Sequence, residues 1–277
     1  MKSLKTLQVC ALVFGSALLN SQSLFAAAVA SDNASNSAYN SGWSNSSNGG
    51  SGFGAWQLGD TYSNPSNGGF FIGSSQGNGS NDGNIDTSGS KSWGLYANSG
   101  DVTNAVRTFT SGGSNGQSIL GSGEKFSLSL DNGYIDSGGT VGFGLQNSSG
   151  ANRIEFYYAN GSSSYSINIG GTTLATGIGF TSAGLSILFT QNSGTGWSMA
   201  ITPNGGSTST FTDASAGSAA LAASDISQVR VFNANAGGGG ARDAFANSMQ
   251  VVPEPSSIAL LLCGFAGGAL ALRRKRA

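Results

Sequence analysis

The sequence predicts an all-β fold for the body of the chain, an antiparallel β-sandwich or jelly roll. Short apolar runs alternate with polar residues at a period of two: in EKFSLSLD, Phe126, Leu128 and Leu130 point to one side and the residues between them to the other. Turn sequences rich in Gly and Asn separate such runs about every ten residues. Apart from ASAGSAALAAS, no helix-period segment of useful length occurs between the termini. A glycine-rich β-solenoid is the alternative fold, but the chain has no fixed repeat.

The chain divides into four predicted segments. Residues 1–30 form a signal peptide, residues 31–51 a flexible leader, residues 52–250 the β-sandwich, and residues 251–277 a C-terminal segment with one transmembrane helix at 256–272. The leader is predicted from composition, because SDNASNSAYNSGWSNSSNGGS consists mostly of Ser, Asn and Gly. The body of about 200 residues is long enough for one sandwich core.

The N-terminus has the three-part layout of a secretory signal peptide. Lys2 and Lys5 precede an apolar stretch, Leu7–Leu19, and small residues follow it. This stretch of 13 residues is too short to span a membrane comfortably as a helix. The small-x-small pattern places cleavage after Ala28 or after Ala30, and the second position is favoured. The sequence therefore predicts export.

Composition excludes several functional classes. The chain has no histidine, so a Ser-His-Asp triad, a Cys-His pair and a histidine-ligated zinc site are all excluded. The two cysteines, Cys10 and Cys263, lie in terminal apolar runs and not in the body. Residues 31–252 carry six basic and 12 acidic residues, without a basic patch. Nucleic-acid binding needs Lys and Arg to neutralise phosphates, so no nucleic-acid partner is predicted.

The chain ends in VVPEPSSIALLLCGFAGGALALRRKRA. Pro253 and Pro255 fix their own φ and hold the residue between them, Glu254, in extended geometry. The uncharged run that follows suits a short membrane helix, because the basic residues after it can snorkel to the interface. The positive-inside rule keeps those basic residues in the cytoplasm and places Glu254 on the exported side.

The order of these parts closely resembles the PEP-CTERM sorting signal. Its elements here are a tetrapeptide, an apolar helix and a terminal basic block; the residues are Val252, Pro253, Glu254 and Pro255, then Arg273, Arg274, Lys275 and Arg276. The resemblance implies recognition by an exosortase, a membrane-embedded, transpeptidase-like enzyme that removes the tail. It also implies export through the inner membrane of a Gram-negative bacterium, transient anchoring there, and delivery to the cell surface or to a biofilm matrix, with exopolysaccharide or other matrix components as partners.

Three segments of the body, GFGAW, GNIDTSGSKSWGLYAN and LDNGYIDSGGTVGFGLQNSSGANRIEFYY, resemble the Gly/Asn-rich β-sandwich ectodomains that are joined to this sorting tail. The resemblance implies a concanavalin-like sandwich, and similar sandwiches bind carbohydrate. It is a likeness of fold, which does not establish function.

The sequence NDGNID contains the candidate metal site. Asp82, Asn84 and Asp86 lie at positions i, i+2 and i+4 beside glycines, a spacing that can bring three hard oxygens to one calcium ion. The rest of an EF-hand loop is absent, and the alternative is a polar loop that leads into a strand. Apart from this calcium ion, no cofactor is predicted.

The tryptophans offer flat apolar faces on which sugars can stack. Trp56 and Trp93 lie in strand-like runs and are expected in the core. Trp197 follows the turn NSGTG, so it is expected to be exposed and is the candidate ligand contact.

The body lacks the signature of a glycan hydrolase. A glycosidase uses two carboxylates about 5–10 Å apart, yet Glu124 and Glu155 are the only glutamates of the body and no E-x-D-x-x-E motif occurs. Glu155 is expected to form a surface pair with Arg153 on the same strand face. No catalytic residue and no enzyme activity are predicted. The predicted role is structural or adhesive, at the surface or in the matrix; the alternatives are a carbohydrate-binding module, with or without calcium, and thirdly a glycan hydrolase.

Overall fold

The computed structural model describes residues 28–60, 67–80, 82–110 and 118–253. In these residues, fifteen β-strands pack as two antiparallel sheets, so the predicted β-sandwich is confirmed. The strands are β1 (Ala30–Asp32), β2 (Gln57–Asp60), β3 (Gly68–Gly73), β4 (Ser92–Ala97), β5 (Val102–Thr108), β6 (Lys125–Asn132), β7 (Thr140–Gln146), β8 (Asn152–Ala159), β9 (Ser166–Ile169), β10 (Thr172–Ala175), β11 (Leu185–Gln191), β12 (Trp197–Pro203), β13 (Ser209–Thr212), β14 (Gln228–Ala234) and β15 (Ala244–Val252). Short turns of 3₁₀ helix accompany them at Ser37–Tyr39, Ser75–Gly77 and Gly240–Arg242.

Two sheets, called sheet 1 and sheet 2, form the layers of the sandwich. Sheet 1 has the strand order β13-β12-β11-β6-β15-β4-β3, with β1 also paired to β15, and sheet 2 has the order β10-β9-β8-β7-β14-β5-β2. Several neighbours come from distant parts of the chain: β6 pairs with β11 and β15, and β7 pairs with β14. Such non-local pairing is typical of a jelly roll and not of a simple series of hairpins.

The period-two pattern of the sequence places the core between the sheets. On β6, Phe126, Leu128 and Leu130 are buried, while the serines between them occupy the outer face and are half-buried. Burial of an apolar side chain of this size contributes about 1.5–3 kcal/mol relative to exposure. The inner faces of the two sheets therefore hold the sandwich together.

A cluster of aromatic rings lies within this core. Trp56 and Trp93 are almost fully buried, as predicted, and their rings meet edge to face with centroids 5.2 Å apart. Trp43 packs edge-on against Trp56 at 5.0 Å, and Tyr39 packs edge-on against Trp93 at 5.5 Å. Because such pairs contribute about 0.5–1.5 kcal/mol each beyond their area, residues 39 and 43 are firmly part of the core.

The structure differs from the predicted flexible leader, because residues 31–51 belong to the sandwich. β1 pairs with β15 in the register Ala30 to Val251, and Tyr39 and Trp43 are buried. The Ser, Asn and Gly residues of this segment build tight turns, several of them with positive φ. Composition suggested flexibility, but two aromatic side chains and one short strand supply enough buried surface to order it.

No helix in the described residues is long and apolar enough to cross a membrane. The predicted signal peptide up to residue 27 and the predicted helix at 256–272 lie outside those residues. Glu254, Pro255 and the terminal basic block lie outside them too.

Candidate functional site

The predicted sorting motif begins on the last strand of the sandwich. Val252 is the last residue of β15 and pairs with Lys125 of β6. Its neighbour Val251 is fully buried and pairs with both β6 and β1. Pro253 follows outside the strand, because a residue without a backbone N–H cannot extend the ladder. No linker separates the fold from the motif.

The three residues of the predicted calcium site are engaged by protein donors. Asp82 accepts a hydrogen bond from Ser182 Oγ at 2.8 Å, and Asp86 accepts one from Ser75 N at 2.9 Å. Asn84 Oδ1 accepts from Asp86 N at 3.1 Å. Within the described parts of the chain, no group of three or more His, Cys, Asp or Glu side chains is placed to hold a metal ion. The calcium site stays a prediction, which melting with and without a chelator would test.

A buried carboxyl that the sequence did not single out lies close to this loop. Asp131, near the end of β6, is 1% exposed, and its Oδ1 accepts from Asn78 Nδ2 at 3.2 Å. Its Oδ2 is buried without a hydrogen-bond partner. Burial raises the pKa of Asp131 to about 7; the nearby polar side chains of Ser75 and Asn78 oppose this shift, and the charges of Asp82 and Asp86 add to it. The carboxyl therefore changes charge near neutral pH.

The prediction that Trp197 is exposed is wrong. Trp197 is the first residue of β12 and is fully buried, with its Nε1 donating to the Ala219 carbonyl at 2.9 Å. It shares the inward-facing positions of β12 with Met199 and Ile201. The alternation along the strand decides which side the ring faces, and the turn before it does not. The ring lies in the core and cannot stack against a sugar.

Arg153 and Glu155, which were expected to pair with each other, have different partners. Arg153 Nε lies 2.6 Å from Asp225 Oδ1. Arg230 on β14 lies 3.8 Å from Glu155 Oε1. Because β7 lies between β8 and β14, the second ion pair spans the middle of the outer face of sheet 2.

This ion pair closes a ladder of amide groups on the outer face of sheet 2. Gln228 Nε2 donates to Gln146 Oε1 at 3.0 Å. Gln146 Nε2 then donates to Asn152 Oδ1 at 2.8 Å. Asn152 Nδ2 in turn donates to Glu155 Oε1 at 3.0 Å, and Glu155 faces Arg230. These five residues, called the polar ladder, come from three strands and hold each other in place.

Two aromatic residues flank a glycine beside the polar ladder. Phe232 of β14 is opposite Gly142 of β7, which is opposite Tyr157 of β8. The Arg230 guanidinium lies over the Phe232 ring, 4.3 Å from its centroid. A Cβ at Gly142 would lie 2.1 Å from the Phe156 carbonyl oxygen, so a larger residue does not fit there. The accessible part of this strip is the Asn152 amide, the ion pair and the half-buried Tyr157 ring, groups of the kind with which proteins bind sugar hydroxyls and sugar faces. Phe232 is only 3% exposed.

A second cluster that the sequence did not reveal is fully buried. Arg107 on β5 forms an ion pair with Asp32 on β1, and both side chains are 0% exposed. Arg107 also donates to the carbonyl oxygens of Gly49 at 2.7 Å and Gly54 at 2.8 Å. The Tyr39 hydroxyl donates to Asp32, and burial raises the pKa of Tyr39 well above its usual value. The cluster ties the N-terminal segment to sheet 2 and has a structural role.

Comparisons with known proteins identify the sorting motif. Residues 251–276 match the PEP-CTERM protein-sorting motif, so this part of the sequence prediction is confirmed. The motif implies export and processing by an exosortase. No curated protein matches the chain.

Several solved structures are similar to the chain in fold. The globular domain of T. cruzi calreticulin is 10% identical, with 79% of this chain and 95% of that chain covered and a TM-score of 0.47. A lectin from Bauhinia forficata in complex with GalNAc is 8% identical, with coverage of 72% and 98% and a TM-score of 0.37. A family 16 glycosyl hydrolase from Mycobacterium smegmatis is 12% identical, with coverage of 71% and 91% and a TM-score of 0.41.

Proposed function

Because residues 251–276 match the PEP-CTERM sorting motif, we propose that this protein is an exosortase-processed structural or adhesive component of the cell surface or of an exopolysaccharide-containing biofilm matrix. The predicted helix at 256–272 holds the chain in the inner membrane of a Gram-negative cell until the tail is removed. The sandwich then remains outside as the mature protein.

The observation that carries this proposal is the sorting motif on the end of β15. Val252 is still paired in the sheet, and the motif continues from it at Pro253. The cargo that the motif delivers is therefore the sandwich itself. Residues 253–255 span at most about 10 Å when fully extended. The exosortase must therefore recognise this short segment between the end of β15 and the predicted membrane helix.

We assign the sandwich no catalytic role. Glu155 belongs to the polar ladder. Glu124 is 1% exposed and accepts a hydrogen bond from Gly121 N at 2.7 Å. Both body glutamates thus make structural contacts, and we expect no turnover of matrix polysaccharide by the purified protein. Measurable release of sugar, lost in Glu155→Gln, would contradict this assignment.

Replacing Pro253, Glu254 and Pro255 together with alanine is expected to block removal of the tail. The alanine segment loses the fixed extended geometry and the carboxylate that the enzyme reads. Intact-mass analysis should find the variant at full C-terminal length in the membrane fraction, whereas the wild type outside the cell lacks its terminal arginines. Changing the adjacent Ser256 and Ser257 to alanine is the matched control and should be processed normally. Wild-type protein outside the cell that retains residues 273–276 would overturn the proposal.

A second candidate function is carbohydrate binding by the outer face of sheet 2. The exposed end of the polar ladder favours it: Asn152 is exposed and its ladder bond uses one of its two N–H groups, while Gln146 and Gln228, only 4% and 8% exposed, support it from within the sheet. The ladder holds these groups in fixed positions before a ligand arrives, which lowers the entropy lost on binding. Tyr157, which is half-buried beside Gly142, supplies a ring face, whereas Phe232 is 3% exposed under the Arg230 guanidinium and supports the ladder from below. Such a face would attach the sandwich to a matrix polysaccharide.

Binding to a glycan array tests this second function. Tyr157→Ala and Glu155→Gln are each expected to weaken binding at least tenfold, equivalent to about 1.4 kcal/mol. The control is Leu188→Ala, since Leu188 is exposed on the outer face of sheet 1, and this variant should bind as the wild type does. If the wild type binds no glycan, or if all three variants bind equally, the outer face of sheet 2 is not a carbohydrate site.

A further inference from the structure

β1 brings the predicted export-cleavage region onto the end of β15. Ala30 pairs with Val251, and the backbone N–H of Val29 donates to the Val251 carbonyl at 2.9 Å. Ala30 is 0% exposed and belongs to the main hydrophobic core. Ala28 precedes these residues, is exposed and lies outside the strand.

The two candidate cleavage positions have different consequences for this strand. A cut after Ala30 removes Val29 and Ala30, and with them the hydrogen bond to Val251 and a core side chain. Only Ser31 and Asp32 would remain of the strand. A cut after Ala28 leaves all of β1 in the mature protein.

The packing on the other side of this segment is fitted to Val29 and Ala30. A Cβ at Gly52 would lie 2.3 Å from the Val29 carbonyl oxygen and 2.6 Å from Ala30 Cα. Gly52 also has φ +71, in the left-handed region that favours glycine. The backbone of Gly52 therefore packs directly against Val29 and Ala30 and leaves no room for a side chain at position 52. This fit indicates that both residues belong to the folded protein and not to a discarded peptide.

We propose that the export peptidase cleaves the Ala28–Val29 bond, so that Val29 is the first residue of the mature protein. One water molecule is added across this amide: the Ala28 carbonyl carbon takes the oxygen and becomes a carboxylate, and the Val29 nitrogen takes both protons and becomes an ammonium group. Ala26 and Ala28 are the small residues that the peptidase requires before the cut. This inference rests on the proposed function, because cleavage by an export peptidase requires that the protein is exported.

After cleavage at this bond, the new N-terminus is hydrogen-bonded to the strand that leads into the sorting motif. The new ammonium group of Val29 retains the Val251 carbonyl as its acceptor, and a charge-assisted hydrogen bond is stronger than the neutral one it replaces. Val251 lies one residue before the end of β15, where the sorting motif leaves the sheet. The first residue of the mature chain is therefore bound to the strand from which the sorting tail is removed.

Mass analysis of the N-terminus, on chain recovered from whole cells and from outside them, tests the position of the cut. The expected first residue is Val29. A large side chain at either small position before the cut prevents cleavage there. Ala26→Leu is thus expected to abolish or shift the natural cut, whereas Ala30→Leu should still be cut after Ala28. Because the N-terminus is read in whole cells as well, the result does not depend on whether Ala30→Leu folds stably.

The opposite pattern overturns the inference: a wild type that begins at Ser31, or an Ala30→Leu variant that is no longer cut while Ala26→Leu is cut normally. Failure of the proposed function has a different signature. A chain that keeps Met1 in every fraction contradicts export. A chain that begins at Val29 but retains its terminal arginines outside the cell contradicts exosortase processing and leaves the cleavage position confirmed.

Discussion

Replacing Arg107 with methionine is expected to lower the free energy of unfolding by about 3–5 kcal/mol. The guanidinium is fully buried and is the ion-pair partner of Asp32. Methionine fills much of the volume but leaves the Asp32 carboxylate without a cation, and removal of one member of a buried pair is more damaging than absence of the pair. For a sandwich of this size, each kcal/mol shifts the melting temperature by about 2–4 °C. Thermal and urea unfolding of the purified exported protein measure the effect.

Two controls make this result specific. Arg153→Met removes the partner of Asp225 at the surface, where the carboxylate side chain is 41% exposed, and is expected to cost less than about 1 kcal/mol. Adding Asp32→Asn to Arg107→Met should recover part of the lost free energy of unfolding, because it removes the negative charge that Arg107→Met leaves buried without a cation. If Arg107→Met is no more destabilising than Arg153→Met, the buried pair does not anchor the N-terminal segment.

Stability is expected to fall as the pH rises from 5 to 8. Burial raises the pKa of both Asp131 and Asp243 to about 7, whereas an unfolded Asp titrates near its ordinary value of about 3.9. The folded state therefore holds more protons than the unfolded state between these values, and stability decreases with pH across that window. Each unit of pKa difference is equivalent to about 1.4 kcal/mol, so Asp131 alone accounts for a few kcal/mol. Above about pH 8 the dependence should level off.

Asp131→Asn tests the origin of this dependence. Asparagine has the shape of the protonated carboxyl and keeps an oxygen acceptor for Asn78, so the variant should lose much of the slope between pH 5 and 8. Asp243→Asn should remove a further part. Measurements below pH 5 are less informative, since the ion pair with Arg153 lowers the pKa of Asp225 and its stabilisation disappears on acidification. A wild-type melting temperature that is flat or rises between pH 5 and 8 would contradict the assignment.

Local patterns in the sequence predicted the strands and the tail. The alternation in EKFSLSLD corresponds to β6, with Phe126, Leu128 and Leu130 in the core as expected. The tail was recognisable because its parts are contiguous, and a motif within 26 residues needs no tertiary structure to be read. Trp197 shows the limit of local reading: the turn before it locates the strand start but does not decide which face of the sheet the first residue takes.

Long-range pairing could not be read from the sequence. Arg107 and Asp32 are 75 positions apart, and nothing in either neighbourhood marks them as partners. Gln228 and Gln146 of the polar ladder are separated by 82 positions. Residues 31–51 are ordered because β1 pairs with β15, which lies at the other end of the body. Each of these features appears only when the strand order of the two sheets is known.

The outermost strands of both sheets limit how copies of this protein can associate. In the described part of the fold, three edge strands, β2, β10 and β13, have four residues each, whereas β3, at the other edge of sheet 1, has six. Short edges offer few free backbone groups to a neighbouring chain and so resist fibre growth by strand addition. At the three short edges, copies packed in an extracellular layer of the proposed kind would therefore associate through side chains on the broad surfaces of the sandwich and not through cross-β stacking.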